Sequence, residues 1–158
     1  TEAGILRAIH LAEDTLKRAG NARPSIAVAA LNPHAGDHGK FGREEIDIIT
    51  PAIEACQRQQ MDVSGPWPSD TVFLKARRGE VDAVVTMYHD QGQIAIKLMG
   101  FERGVTVAGG LPIPIATPAH GTAFDIAGQN KANVSAIRQA FDLLLRMAKT
   151  HSDNKKSA

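Results

Sequence analysis

With a single cysteine, Cys56, in 158 residues, the chain cannot form an internal disulfide, which fits a reducing compartment. No apolar run approaches the length of a membrane span, and no signal-peptide pattern opens the sequence, so a cytoplasmic location is expected. Charge of one sign is also missing. The 18 Lys and Arg are interspersed with 17 Asp and Glu, for a net charge of +1. No basic face therefore argues for nucleic acid, and no charge block argues for a membrane surface or an acidic tail. A Cys-x-x-Cys zinc signature is absent. So is the Gly-x-Gly-x-x-Gly dinucleotide fingerprint, although a nicotinamide cofactor can bind by other means. Ser135 and Thr122 have no His and Asp in a nucleophile arrangement, and Cys56, inside an apolar stripe, reads as packing.

What is present is the composition of one ordinary globular domain, 43% hydrophobic and 22% charged. Ile5, Ile9, Ala12 and Leu16 mark an amphipathic helix over 2–18, stopped by Gly20. The apolar run 25–31 is too short for a helix and reads as a buried parallel strand. Arg43 to Gln60 reads as helix, with Ile46, Ile49, Ile53 and Cys56 on one stripe and a kink or restart at Pro51. Met61–Val63 is a short edge strand, Ser64–Pro68 a turn, 69–79 a helix and 81–86 a second buried strand. A compact helix follows through Ile94–Met99 to Gly100, then a strand at 104–107 and an extended Leu111–Ile115. Asn133 caps a last helix with Ile137, Phe141, Leu144 and Ala148 on its apolar face. His151–Ala158 is polar and reads as a disordered tail. No repeat or linker divides 1–158, so a single unit is expected. The chain opens at Thr1 directly on a helical pattern, so an upstream segment is expected as well.

Three stretches stand out. Asn32–Gly36 and Met87–Gly92 each follow a strand-like run and carry His34 and His89, and in an open α/β sheet ligands sit where strands end. The third, Pro118–Gly128, holds His120 among small residues that let a ligand approach the backbone. His10 and His151 are most simply solvent-facing, and His38 lies in the Gly-rich loop between Asn32 and Gly42. For His34, His89 and His120, spacing alone leaves metal ligation and an ordinary surface or hydrogen-bonding role both open. Asp90 is either an acceptor that orients an imidazole or a plain turn residue. Lys75, Arg77 and Arg78 read as a solvated helix face.

These stretches carry a resemblance. Leu31-Asn-Pro-His-Ala-Gly36, Gly42-Arg-Glu-Glu-Ile-Asp47, Gly65-Pro-Trp-Pro-Ser-Asp-Thr71, Met87-Tyr-His-Asp-Gln-Gly92 with Lys97, and His120-Gly-Thr-Ala-Phe-Asp-Ile-Ala-Gly128 resemble the 4-hydroxythreonine-4-phosphate dehydrogenase family, which makes a precursor of pyridoxal phosphate. The blocks keep order and spacing from about Pro24 to Leu145. The last block, with Asn133, is also similar to the nucleotide-binding stretch of isocitrate and isopropylmalate dehydrogenases.

The resemblance implies an open, mostly parallel α/β sheet with helices on both faces, forming the C-terminal half of a longer enzyme. It implies NAD- or NADP-linked oxidation, with decarboxylation, of a phosphorylated hydroxy acid such as 4-phosphohydroxy-L-threonine, aided by a divalent ion (Zn, Mg, Mn or Co). Carried over residue by residue, His34 and His89 match metal ligands, Lys97 a catalytic substrate contact, and His120, Gly121, Thr122, Ala123, Asp125 and Asn133 the cofactor wall. A homodimer is implied too, with the His89 equivalent donated across the interface.

Two departures shape the expectation. The family's N-terminal half, which carries a third metal histidine and a substrate-contacting His-Thr pair, is not in this sequence. Thr106, a candidate substrate contact, and Ile115 stand where the family has Asn and Arg, and losing a guanidinium at an anionic site is not conservative. They point to a sister branch acting on 4-phospho-D-threonate or erythronate, or on a dihydrodiol carboxylate. The rival expectation is a truncated, catalytically inactive chain that folds and dimerises.

Overall fold

The apolar run that opens after Pro24 becomes the middle strand of a parallel sheet. A computed structural model describes the backbone of residues 1–156 and the side chains of residues 1–150. By its internal contacts the chain forms two compact units, where composition suggests one. The first holds Thr1–Lys17 and Asn21–Gln93; the second holds Arg18–Gly20 and the residues from Ile94 onward.

In the first unit β1 (Ser25–Ala29) lies between β2 (Asp62–Trp67) and β3 (Ala83–Val85), parallel to both. Ile26 to Ala30 are buried, which is why the run shows no polar alternation: a strand covered on both faces has no solvent side. Ile26 and Val28 pack with Ile9 of α1 (Glu2–Arg18) and with Ile53 and Cys56 of α2 (Thr50–Arg58). Ala27 and Ala29 pack on Val72 of α3 (Val72–Arg77), beside Trp67 and Phe73. Helices thus cover both faces, as expected.

Local departures have local causes. Ser64–Trp67, expected as a turn, continues β2, because the Ala30 N–H donates to the Trp67 carbonyl at 2.7 Å past a register shift in the β1–β2 ladder. Ahead of α2 the chain makes a π turn, Glu45–Ile49, and Pro51 falls in the first turn of α2, where a missing N–H is tolerated. The wider π turn rotates the apolar stripe. Ile49, Ile53 and Cys56 stay buried, whereas Ile46 is 44% exposed. Burial, and then Glu13, push the Cys56 thiol up, in keeping with packing rather than reactivity.

In the second unit β4 (Val105–Ala108) and β5 (Ile115–Pro118) pair antiparallel, with Thr106 opposite Thr117, and α5 (Ser135–Lys156) packs against both. The Asn133 side-chain oxygen accepts the Ser135 N–H at 2.9 Å, the capping its position suggested. The expected apolar face of α5 is not the buried one. Ala136, Ala140 and Met147 are buried, while Ile137 and Phe141 are 51% and 60% exposed. The small residues face the β4–β5 ribbon because they allow close approach, and the bulky stripe next to them is left outward. The backbone stays helical to Lys156, where composition points to a tail from His151; residues 157 and 158, and the His151 side chain, lie outside the described residues.

Candidate functional site

The first histidine sits in an unusual turn. Across Pro33–Gly39, five consecutive residues from His34 to His38 hold left-handed backbone angles, with φ between 41° and 81°. For a non-glycine residue this region costs about 1–2 kcal/mol. His34, Ala35, Asp37 and His38 all carry that cost, so the turn persists only if its surroundings over-determine it.

Glu45 supplies that support. It is 3% exposed. Its Oε1 accepts the backbone N–H of Leu31 at 2.8 Å and of Asn32 at 2.7 Å, and its Oε2 accepts from the Asn32 side-chain amide at 2.9 Å. Burial pushes the Glu45 carboxyl up, but the hydrogen bonds from the Asn32 side chain and from the N–H groups of Asn32, Glu45 and Leu31 outweigh it and hold it below the usual carboxylate range. Gly36 is buried against the same carboxylate: a Cβ there would lie 2.8 Å from Glu45 Oε2 and 3.1 Å from the Gly42 carbonyl oxygen. His34 itself is exposed, its ring 6.2 Å from that of Phe41.

The second histidine, expected in a turn, is the first residue of α4 (His89–Gly100). Because β1 and β3 are neighbours and parallel, the segments that carry His34 and His89 leave the same end of the sheet. His89 is exposed, as is Asp90. Two residues on, Gln91 is 8% exposed and bonded at both ends of its amide. Its Nε2 donates to the Ala30 carbonyl at 2.7 Å, and its Oε1 accepts the Met87 N–H at 2.7 Å. The strand ends also wall a cleft of about 390 Å³ lined by Leu31, Glu44, Val85, Thr86 and Met87 with residues of α1; neither histidine lines it.

As a metal centre this arrangement is partial. Two exposed imidazoles with bound neighbours suit a divalent ion of the zinc or cobalt kind. Among the described residues, however, no three His, Cys, Asp or Glu side chains gather closely enough to hold one. His38 lies on the left-handed turn with His34 and is exposed, and His10 is exposed on α1.

The third stretch forms its own cleft within the second unit, of about 390 Å³, lined by His120, Gly121, Ala123 and Asn133 together with Phe101, Glu102, Ile126 and Ala132. Four of the six residues expected to form a cofactor wall therefore come together; Thr122 and Asp125 are exposed and do not line the cleft. Asn133 Nδ2 donates to the Glu102 carboxylate at 3.2 Å, and His120 Nδ1 lies 2.8 Å from the Gly121 carbonyl oxygen. Lys97 is exposed on the last turn of α4, and Thr106 is exposed on β4.

Glu45 and Gln91 are functional candidates that sequence reasoning missed. Both stand inside the family-like blocks, but nothing in their spacing shows that a charged and an amide side chain would turn inward to bind the backbone.

A helix-covered parallel sheet with its polar candidates at the carboxyl ends of the strands makes the first unit an open α/β fold, the class in which ligands, where they bind, sit at strand ends. The sequence pattern of the family described as "Pyridoxal phosphate biosynthetic protein PdxA" matches residues 1–144, and the chain belongs to that family. A relative from Pseudomonas aeruginosa is 65% identical over 145 residues, covering 90% of this chain and 43% of its own length. The D-threonate 4-phosphate dehydrogenase of Salmonella typhimurium is 49% identical over 146 residues, covering 92% of this chain and 45% of its own. The crystal structure of 4-hydroxythreonine-4-phosphate dehydrogenase from Klebsiella pneumoniae superposes with a TM-score of 0.81 at 45% identity, covering 94% of this chain and 45% of that one. The chain spans less than half the length of these relatives. Among the described residues no helix is long and apolar enough to cross a membrane.

Proposed function

We propose that this chain is the metal-, substrate- and cofactor-binding half of an NAD- or NADP-linked dehydrogenase that oxidises a phosphorylated hydroxy acid with loss of carbon dioxide. One observation carries it: His34 and His89 leave the same end of neighbouring parallel strands, and each is next to backbone held by a buried polar side chain. His34 and His89 would hold the divalent ion, with the remaining ligands supplied from outside the described residues. When bound, such an ion supplies Lewis-acid polarisation of the substrate oxygen. Lys97 and Thr106 would contact the substrate, Lys97 as a point charge suited to its anionic end. The cleft at His120, Gly121, Ala123 and Asn133 would take the nicotinamide nucleotide, with Thr122 and Asp125 at its border; its largely apolar lining suits a planar base.

Thr106 and Ile115, standing in place of the family's Asn and Arg, favour a 4-phosphorylated threonate or erythronate over 4-phosphohydroxy-L-threonine, and a name of the first kind is carried by the Salmonella relative. A dihydrodiol carboxylate is the alternative lacking the phosphate. The outward stripe of Ile137, Phe141 and Leu145 supports a homodimer, the assembly in which a partner completes the site.

The test is turnover, read as NADH or NADPH formation, on a panel of these acids with and without chelator. Turnover of a 4-phosphorylated acid, lost to chelator and restored by a divalent metal, is the expected result. Turnover of the dihydrodiol carboxylate alone reassigns the substrate. A second function is favoured by the two-histidine donor set: an inactive, dimerising chain, shown by cofactor binding and dimerisation without turnover of any acid.

A further inference from the structure

The two buried polar side chains among the described residues, Glu45 and Gln91, come from different elements and bind three successive residues of one segment. Glu45 takes the N–H groups of Leu31 and Asn32, and Gln91 takes the carbonyl of Ala30. That segment leads from β1 into the His34 turn. Gln91 alone reaches further, because its oxygen holds the Met87 N–H, two residues before His89. One neutral amide thus reaches a residue 61 positions back in sequence and joins the two histidine-bearing segments. Only a side chain with a donor at one end and an acceptor at the other can do so, and no buried side-chain nitrogen or oxygen among the described residues is left without a partner.

We propose that Gln91 is a positioning residue that sets the separation of His34 and His89. This deepens the metal-site reading above and rests on it for its functional meaning. It holds whether the rings meet within one chain or across a twofold axis, since in either case the tie fixes where each histidine-bearing segment leaves the sheet.

The test uses the whole chain with Gln91→Glu, which keeps size and shape but cannot donate to Ala30 when ionised, and with Gln91→Met, which can do neither. Amide exchange and the histidine ring resonances are followed by NMR, and zinc affinity is measured in parallel. In Gln91→Met the Met87 N–H should exchange at least about tenfold faster, while Gln91→Glu, which still accepts it, should leave that exchange slow; in both variants the His34 and His89 ring resonances should shift while Val28 keeps its protection. Zinc affinity should fall about 10- to 100-fold, the usual consequence of removing a group that orients metal ligands. A folded Gln91→Glu chain whose ring resonances and zinc affinity match the parent overturns the proposal. Should Gln91→Met fail to fold, Gln91→Glu alone carries that decision. A parent chain that takes no zinc while its ring resonances still depend on Gln91 contradicts the metal reading and keeps the positioning role.

Discussion

The Glu45 carboxylate accepts the Asn32 backbone N–H at 2.7 Å, tying the π turn before α2 to the entrance of the left-handed His34 turn. Truncating it in Glu45→Ala leaves the half-buried N–H groups of Leu31 and Asn32 without their acceptor, and a loss of about 2–3 kcal/mol is expected in urea titration at neutral pH.

The same carboxylate gives the stability a pH signature. Its folded-state pKa lies below the ordinary value, so it stabilises the fold above the unfolded-state pKa, and that contribution disappears as the pH falls through the lowered value. Gln cannot titrate, so Glu45→Gln should flatten the acid limb of the stability profile. An acid limb identical to the parent's would show that Glu45 has no part in it.

Gly36 and Gly79 make a matched pair. Both have positive φ, +81° and +74°, but a Cβ at Gly79 meets nothing within 4 Å, whereas one at Gly36 meets Glu45 Oε2 and the Gly42 carbonyl. Gly79→Ala should therefore cost only the conformational penalty, about 1 kcal/mol. Gly36→Ala should cost about 2–4 kcal/mol, because the clash adds to the strain. Equal thermal denaturation midpoints for the two variants would argue against a turn clamped by Glu45.

The outward stripe of α5 should carry the dimer. Replacing Ile137 and Phe141 with Asp places charge on two half-exposed apolar positions without touching Ala136, Ala140 or Met147. Analytical ultracentrifugation should show the parent chain as a dimer and the double variant as a folded monomer. A parent chain that stays monomeric would assign the stripe elsewhere.

Filling the second-unit cleft should separate cofactor from metal. Ala132 lines it, and Ala132→Phe is expected to weaken NAD or NADP binding about tenfold or more by calorimetry, with zinc retention unchanged.

Much of this was legible in the residues. The unbroken apolar run 25–31 announced a strand buried on both faces, and Pro51 marked a kink or restart because a proline is tolerated without disruption only in the first turn of a helix. Asn133 announced the cap of α5. Other features were not legible, for physical reasons. Ile137, Phe141 and Leu144 have helical spacing, but so do Ala136, Ala140 and Met147, and hydrophobicity alone does not say which stripe packs inward and which waits for a partner. Five successive left-handed residues cannot be read from a segment with only one glycine inside it, because the support comes from Glu45, outside the turn. Gln91 stands in a stretch that reads as a turn, Met87–Gly92, and only the fold puts Ala30 beside it.

The most direct test of the central claim is an anomalous-scattering map from a zinc-soaked crystal. A single peak about 2.0–2.1 Å from a ring nitrogen of both His34 and His89, the second from the same subunit or its symmetry mate, is the expected result. Peaks that touch only one of the two rings, or neither, would contradict it.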